Sequence, residues 1–281
     1  MHDLNDQGLI YEFESYYSTT KNIAALVEQR KKSNAHAQVL LQKVPFYAGL
    51  LSLVPFVKSV ALSGSLSKGS ANHHADIDFI VITKHNRLWV CKSMVQFLKR
   101  ILRLFGKEQF LCANYFIAES KTTIDERNIF IAIELATVIP LYGIDYTQQL
   151  LASNQWSAHF VSNNVPKKTV NALKAKSFYL LKVVKYLVSF LLFFVGNFLD
   201  NRLMNYSKRR WHKAHFHKFK NAEDFDNSIK IRKNEVKYHL HSFQHNVIAK
   251  FEQQLKAFSA ETGIIFSPES LDILNFRDKK S

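Results

Sequence analysis

Two aspartates, Asp76 and Asp78, open a β-branched, continuously apolar run, D-I-D-F-I-V-I-T. In an extended chain residues two apart project from one face, about 7 Å apart along the backbone. Asp76 and Asp78 therefore share a face with Ile80 and Ile82, while Ile77 and Phe79 enter the opposite layer. Two carboxylates in such surroundings repel each other and lose solvation unless a cation joins them. Their hard oxygens suit Mg²⁺, with Mn²⁺ as the alternative. Two such ions about 3.5–4 Å apart can clamp the attacking and leaving oxygens of an in-line phosphoryl displacement. Ten residues separate Asp76 from an upstream Gly64-Ser65, which follows the strand-like run Lys58–Ser63. Glycine permits the close approach and unusual dihedrals of a sharp turn. Free N–H groups of a helix start, with a serine hydroxyl beside them, bind an anion. A phosphate cradle next to a metal site is what a nucleoside triphosphate requires.

Gly64-Ser65, ten residues, then Asp76-Ile77-Asp78-Phe79 resembles the signature of the DNA-polymerase-β-like nucleotidyltransferases. G-S-L-S-K-G-S is similar to the matching stretch of antibiotic nucleotidyltransferases and archaeal-type tRNA-tail-adding enzymes. P-F-V-K-S-V-A-L-S-G-S-L-S-K-G, D-I-D-F-I-V-I-T, R-L-W, E-L-A-T-V-I-P-L-Y-G and N-Q-W together resemble a group of bacterial nucleotidyltransferase-domain proteins, over roughly residues 20–165. The resemblance implies that Gly64 and Ser65 hold the β- and γ-phosphates and that Asp76 and Asp78 hold the metals. The activity implied is transfer of a nucleotidyl group from Mg-NTP to a hydroxyl acceptor (a small molecule, a protein or an RNA) with release of pyrophosphate. It also implies a third acid on a later strand. In Phe110–Ile117 that position holds Asn114, which cannot accept a proton, and Glu119 at the strand end is the only nearby carboxylate. General-base assistance is worth about 10²–10⁴ in rate. Either Glu119 or another group takes the role, or the chain is a slow enzyme or a nucleotide-binding module.

Other motifs are weaker. Lys68 can reach a phosphate or stay in solvent. No Lys-Ser/Thr follows Gly69, so a Walker-A loop is excluded, and G-x-G-x-x-G is absent. His73 and His74 precede Asp76 in a loop and are read as exposed. His212, His215, His217 and His239, His241, His245 lie among Lys and Arg without a carboxylate or cysteine complement, which argues against structural zinc. Trp156 and Trp211 are read as core rather than as platforms for bases. Cys91 and Cys112 stand alone, which excludes a cysteine zinc site or disulfide scaffold and suits a reducing cytoplasm. The polar start, Met1 to Asp6, does not read as a secretory signal.

The elements that must position these groups follow from periodicity. Helices are expected over 8–33 and 35–41, with Pro45 and Pro55 punctuating a short apolar stretch, then strands at 58–63 and 76–83. A helix over 86–105, a strand over 110–118 and a helix over 128–138 follow. Beyond Pro166 only helical patterns stand out, at 169–206 and 225–259. The expected fold class is α+β: a small mixed-sheet core with flanking helices, followed by an α-helical domain. The expected units are N-terminal helices at 1–55, the core at 56–150 and a basic helical part at 151–281.

The 281 residues carry a net charge of +15, and the apolar fraction, 47%, is enough for a full core, so disorder is not expected. Residues 1–150 hold 16 Lys+Arg against 13 Asp+Glu, and residues 151–281 hold 22 against 10, so the excess lies in the C-terminal half. That half suits a polyanion (RNA, a nucleotide or an acidic membrane surface) or is simply a solvated basic face. Val183–Leu199 is slightly short for a bilayer and has basic residues on both sides. A buried helix of an all-α domain is the first expectation, and a peripheral membrane contact is the alternative.

Overall fold

The structure is a computed structural model, and it describes residues 2–73, 75–161, 173–218, 229–238 and 243–264. After a short helix, His2–Asp6 (α1), the strands Tyr11–Phe13 (β1) and Tyr16–Ser18 (β2) form a hairpin whose turn residues Glu14 and Ser15 have φ of 49° and 65°. The helix expected from residue 8 therefore begins only at Ile23. The aromatic alternation Tyr11, Phe13, Tyr16 suits a strand, and a two-residue left-handed turn matches the twist of a hairpin. The next helix, Ile23–Leu41 (α2), runs through both helices read from the sequence without a break. Pro45 falls in the first turn of Val44–Ser52 (α3), where its missing N–H costs nothing.

The centre is a six-stranded mixed sheet. Its strands are Val57–Leu62 (β3), Asp78–Thr83 (β4), Cys112–Ala118 (β5), Ile139–Tyr142 (β6), Ile229–Ile231 (β7) and Glu235–Tyr238 (β8), in the order β6-β3-β4-β5-β8-β7. β4 and β5 run parallel, and every other neighbouring pair is antiparallel. The parallel pair needs a crossover, and Leu88–Arg103 (α5) supplies it. Pro140 is tolerated because β6 is an edge strand. β4 is covered on both faces. Phe79 and Val81 pack with α2, α3 and α5 residues such as Leu40, Leu51 and Trp89. Ile80 and Ile82 pack with Ile131 and Leu135 of Ile129–Ala136 (α6) and Leu150 of Ile144–Ala152 (α7).

β7 and β8 correct the expectation of helix over 225–259. Helix begins only at Phe243–Thr262 (α9), and residues 225–228 and 239–242 lie outside the described residues. Val236 and Lys237 pair with Phe116 and Tyr115 of β5, so the core sheet is completed by the C-terminal half. The buried Glu235 carboxylate holds the junction together: it accepts from the Tyr115 hydroxyl (3.0 Å) and pairs with Lys121 (3.1 Å) and Lys230 (3.4 Å).

The apolar segment at 183–199 belongs to the 37-residue helix Tyr179–His215 (α8), of which only Gly196 and Asp200 are buried. The first expectation, a buried core helix, is thus corrected. Only one stripe of α8 touches the domain. Lys185 Nζ donates to Ser52 O (2.7 Å), and the Arg87 guanidinium donates to Asn197 Oδ1 and to Phe193 O (2.9 Å). Asp200 accepts from the N–H groups of Trp89 (2.7 Å) and Val90 (3.0 Å), satisfying donors that the first turn of α5 leaves open. Lys185, Leu192, Gly196, Leu199 and Leu203 recur at helical spacing on this stripe. Leu187, Phe190, Phe194 and Phe198 stand on the other side, with Phe194 76% exposed. By length and composition α8 is long and apolar enough to cross a bilayer, and 6% of its apolar window is buried.

One buried cation in the core makes a stability prediction. Lys92 of α5 is 3% exposed, with its ammonium 5.4 Å from the centre of the Phe116 ring. Burial, and secondarily Lys99, lowers its pKa from 10.5 to about 7. The unfolded chain therefore binds this proton more tightly, and the resulting penalty grows as pH falls from about 10.5 to 7 and is complete below 7. Lys92→Met is expected to stabilise the protein by about 2–4 kcal/mol at neutral pH. The gain shrinks to nothing near pH 10.5, a trend that thermal melts of both proteins across pH 7–10 will read directly.

Candidate active site

The floor of the site is the top of β3 and β4. Ser63 is extended (φ −135°), Gly64 follows at φ +71°, and Gly64–Ser67 makes one turn of helix (α4). The left-handed Gly64 swings the chain across the first residue of β4. A Cβ at Gly64 would meet Asp78 Oδ2 at 2.4 Å, so the turn and the carboxylate approach closely only because this residue has no side chain. Asp76 and Asp78 face the same way, as the alternation predicts: Ile77 between them is fully buried and Phe79 is 1% exposed on the opposite side. The strand starts at Asp78, so Asp76 lies in its extended lead-in and is solvent-exposed.

Asn114 is brought to the site. It sits at the β4–β5 register shift and donates from Nδ2 to Asp78 Oδ1 (3.0 Å), while its own Oδ1 accepts from the Cys112 thiol (3.3 Å). Glu119 is not brought there. Its backbone pairs with Thr83 at the far end of β4, and its carboxylate meets the His85 N–H (3.2 Å) and Lys58 (3.9 Å). Five strand residues, about 17 Å, separate that end from Asp78. Glu119 is therefore corrected out of the site, because β5 runs parallel to β4 and carries it away.

The structure brings in a carboxylate to which the sequence motifs assign no role, although it opens the stretch E-L-A-T-V-I-P-L-Y-G. Glu134 of α6 accepts from the Gly64 N–H through Oε2 (3.2 Å) and pairs through Oε1 with Lys68 Nζ (2.6 Å), which also donates to Gly64 O (2.9 Å). The available signal was Glu134 itself, the one charge in the otherwise apolar I-F-I-A-I-E-L-A. Between the sheet and α6 opens a cavity of about 350 Å³. Gly64, Ser65, Asp78, Asn114, Glu134, Phe130 and Lys237 are among the residues that line it.

Burial raises the Asp78 pKa to about 6, with the negative charges of Asp76 and Glu134 adding to it, against the Asn114 amide and Lys68. A carboxylate so destabilised in its charged form would be relieved by a cation. The donors are hard oxygens, so the set fits a divalent ion of the Mg²⁺ or Mn²⁺ kind. Among the described residues no group of three His, Cys, Asp or Glu side chains forms a ready metal cluster.

Residues 48–129 match the family model of the nucleotidyltransferase domain. The chain carries a nucleotidyltransferase domain. No curated protein and no solved structure matches it. The matched span of the nucleotidyltransferase domain includes Gly64, Asp76, Asp78 and Asn114 and stops short of Glu134.

Of the other singled-out histidines and tryptophans, those among the described residues make contacts elsewhere in the fold. The ring of His73 stands edge-on to that of His36, their centres 5.2 Å apart, and His74 is outside the described residues. His212 stacks on Phe216, and His215 lies against Trp211. His239, His241 and the side chain of His245 fall outside the described residues. Trp156 packs beneath α6 and α7, as expected of core, and donates to Asn154 Oδ1 (3.1 Å).

Proposed function

We propose that the protein is an active nucleotidyltransferase, moving an NMP group from a Mg-NTP to a hydroxyl acceptor with release of pyrophosphate. The observation that carries the reading is the close approach of the left-handed Gly64 turn to the Asp78 carboxylate, with the Gly64 N–H and the Lys68 ammonium, both held by Glu134, beside it. In this reading Gly64, Ser65 and Lys68 bind the β- and γ-phosphates. Asp76 and Asp78 would hold Mg²⁺, or Mn²⁺ in its place. When bound, such an ion offsets the charge that develops on the phosphoryl oxygens. Asn114 holds the Asp78 carboxylate in register by its hydrogen bond and takes no proton. The cavity beneath α6, with Phe130 and Lys237, has room for the rest of the nucleotide or for the acceptor. The hydroxyl acceptor in this reading belongs to a small molecule, a protein or an RNA. Calorimetric titration with Mg-NTP, followed by pyrophosphate release with each acceptor class, tests the reading. Failure to bind any Mg-NTP overturns it.

A second reading is favoured by Asn114 alone: a nucleotide-binding regulatory module without turnover. It predicts tight Mg-NTP binding and no pyrophosphate release with any acceptor.

We also propose that the protein works in the cytoplasm at a membrane surface, with α8 lying in the plane of the bilayer. Support comes from the outward face of α8, where exposed Phe190, Phe194 and Phe198 lead into Arg202, Lys208 and Arg209. The inward contacts of Lys185, Arg87 and Asp200 keep the domain alongside the helix, which suits lying flat rather than crossing. The protein is expected to co-float with vesicles rich in acidic lipid. The double substitution Phe190→Asp, Phe194→Asp should weaken that binding by about 100-fold or more. A wild-type protein that stays at the bottom of the gradient would remove this proposal.

A further inference from the structure

Glu134 occupies the place that the proposed function gives to phosphate. Its two carboxylate oxygens take the Gly64 N–H (3.2 Å) and the Lys68 ammonium (2.6 Å), the two donors in best position to meet a β- or γ-phosphate. The carboxylate is not an incidental surface group. It comes from α6 across 70 residues of sequence, and Thr137, the C-cap of α6, brings its Oγ1 to 3.4 Å from Ser67 Oγ of α4. Two anions cannot share one donor pair at close range, and Asp78 already adds negative charge beside them.

We propose that Glu134 is a specificity-determining residue: an internal anion that fills the phosphate seat and yields it only to a triphosphate accompanied by a divalent cation. The inference rests on the nucleotidyltransferase reading of this site. A bare anion entering the seat would displace Glu134 into a region shared with Asp76 and Asp78, where three carboxylates would face a fourth negative group. A triphosphate that brings its counter-ion neutralises that region, so the displaced carboxylate is no longer opposed. Inorganic phosphate and free pyrophosphate are thereby excluded. After transfer, the return of Glu134 to the Gly64 N–H and Lys68 favours departure of pyrophosphate.

The test is calorimetric binding of pyrophosphate and of ATP, each in EDTA and each with Mg²⁺, to wild type and Glu134→Gln. Glutamine keeps an acceptor for the Gly64 N–H and removes the charge. Glu134→Gln is expected to bind metal-free pyrophosphate and metal-free ATP about ten- to a hundred-fold tighter than wild type, and to lose most of the preference for the Mg²⁺ complex. Unchanged or weaker metal-free binding by folded Glu134→Gln overturns the proposal, as a purely structural tie between α6 and α4 would give. Glu134→Asp keeps the charge but is a methylene too short to reach both donors, and should give an intermediate gain. If Glu134→Gln does not fold, the absence of any gain in Glu134→Asp is the overturning result. If neither wild type nor variant binds Mg-ATP or any other Mg-NTP, the functional reading itself has failed. If wild type binds Mg-NTP and the variants show no gain for bare anions, only the role of Glu134 has.

Discussion

Replacing Asp78 with asparagine is expected to reduce pyrophosphate release by about 10³-fold or more, beyond the ten- to hundred-fold typical of an outer-shell partner. The substitution is nearly isosteric and keeps an oxygen that can accept the Asn114 amide proton (3.0 Å in the wild type). What it removes is the buried charge that a divalent ion would bind. The same change should stabilise the metal-free fold, because burial and the charges of Asp76 and Glu134 all oppose ionisation of Asp78. Wild-type Asp78 has its pKa raised to about 6, so the folded chain holds this proton more tightly than the unfolded one. The stability penalty is therefore absent at low pH, grows as pH rises through the usual carboxylate range to about 6, and is complete above it. An activity loss accompanied by a higher melting temperature in EDTA, above pH 6, is the combined signature. Retained activity in Asp78→Asn would mean that the chemistry lies elsewhere.

Gly64→Ala is expected to cost both activity and stability. An alanine must hold φ near +71°, a region unfavourable for residues with a Cβ by about 1–2 kcal/mol. Its methyl would also lie 2.4 Å from Asp78 Oδ2, so the turn or the carboxylate must move. Displacement by an ångström of a group that positions a reacting phosphate costs about 10²-fold. A loss of that order in kcat/KM, together with about 2–4 kcal/mol of stability from strain and overlap, is the expected result. Steady-state kinetics and urea unfolding on one preparation measure both. Gly69→Ala is the matching control: its φ is +69° but nothing lies within 4 Å of an added Cβ, so it carries the backbone strain without the collision.

The parts of the fold legible in the sequence were those encoded within a few residues of one another. Gly64-Ser65 and Asp76-Ile77-Asp78 announce a turn and a strand through composition alone; the turn stands where expected and the strand begins two residues later, at Asp78. Glu134 was hidden for a different reason. Its partner, Gly64, is 70 residues away, and nothing local in α6 reports that the helix lies over the turn. Glu119 misled because nearness in sequence is not nearness in space: lying five residues after Asn114, just past the end of β5, puts it at the other end of the sheet. β7 and β8 were missed because strands of three and four residues leave little alternation to detect. α8 was misjudged because its apolar residues run all round the helix, which usually signals burial, whereas only the stripe through Lys185, Gly196 and Asp200 is seated.

The pairing of β8 with β5 bears on where this chain can be cut. A fragment ending before Ile229 would keep both aspartates and the turn, yet Tyr115, Phe116 and Ile117 of β5 would lose their hydrogen-bonding neighbour. Such a bare, apolar edge is a template for self-association. Lys121 would also lose Glu235, its fully buried partner. The segment that carries the family signature therefore lacks a strand of its own sheet, which is supplied from more than 100 residues downstream of Phe116.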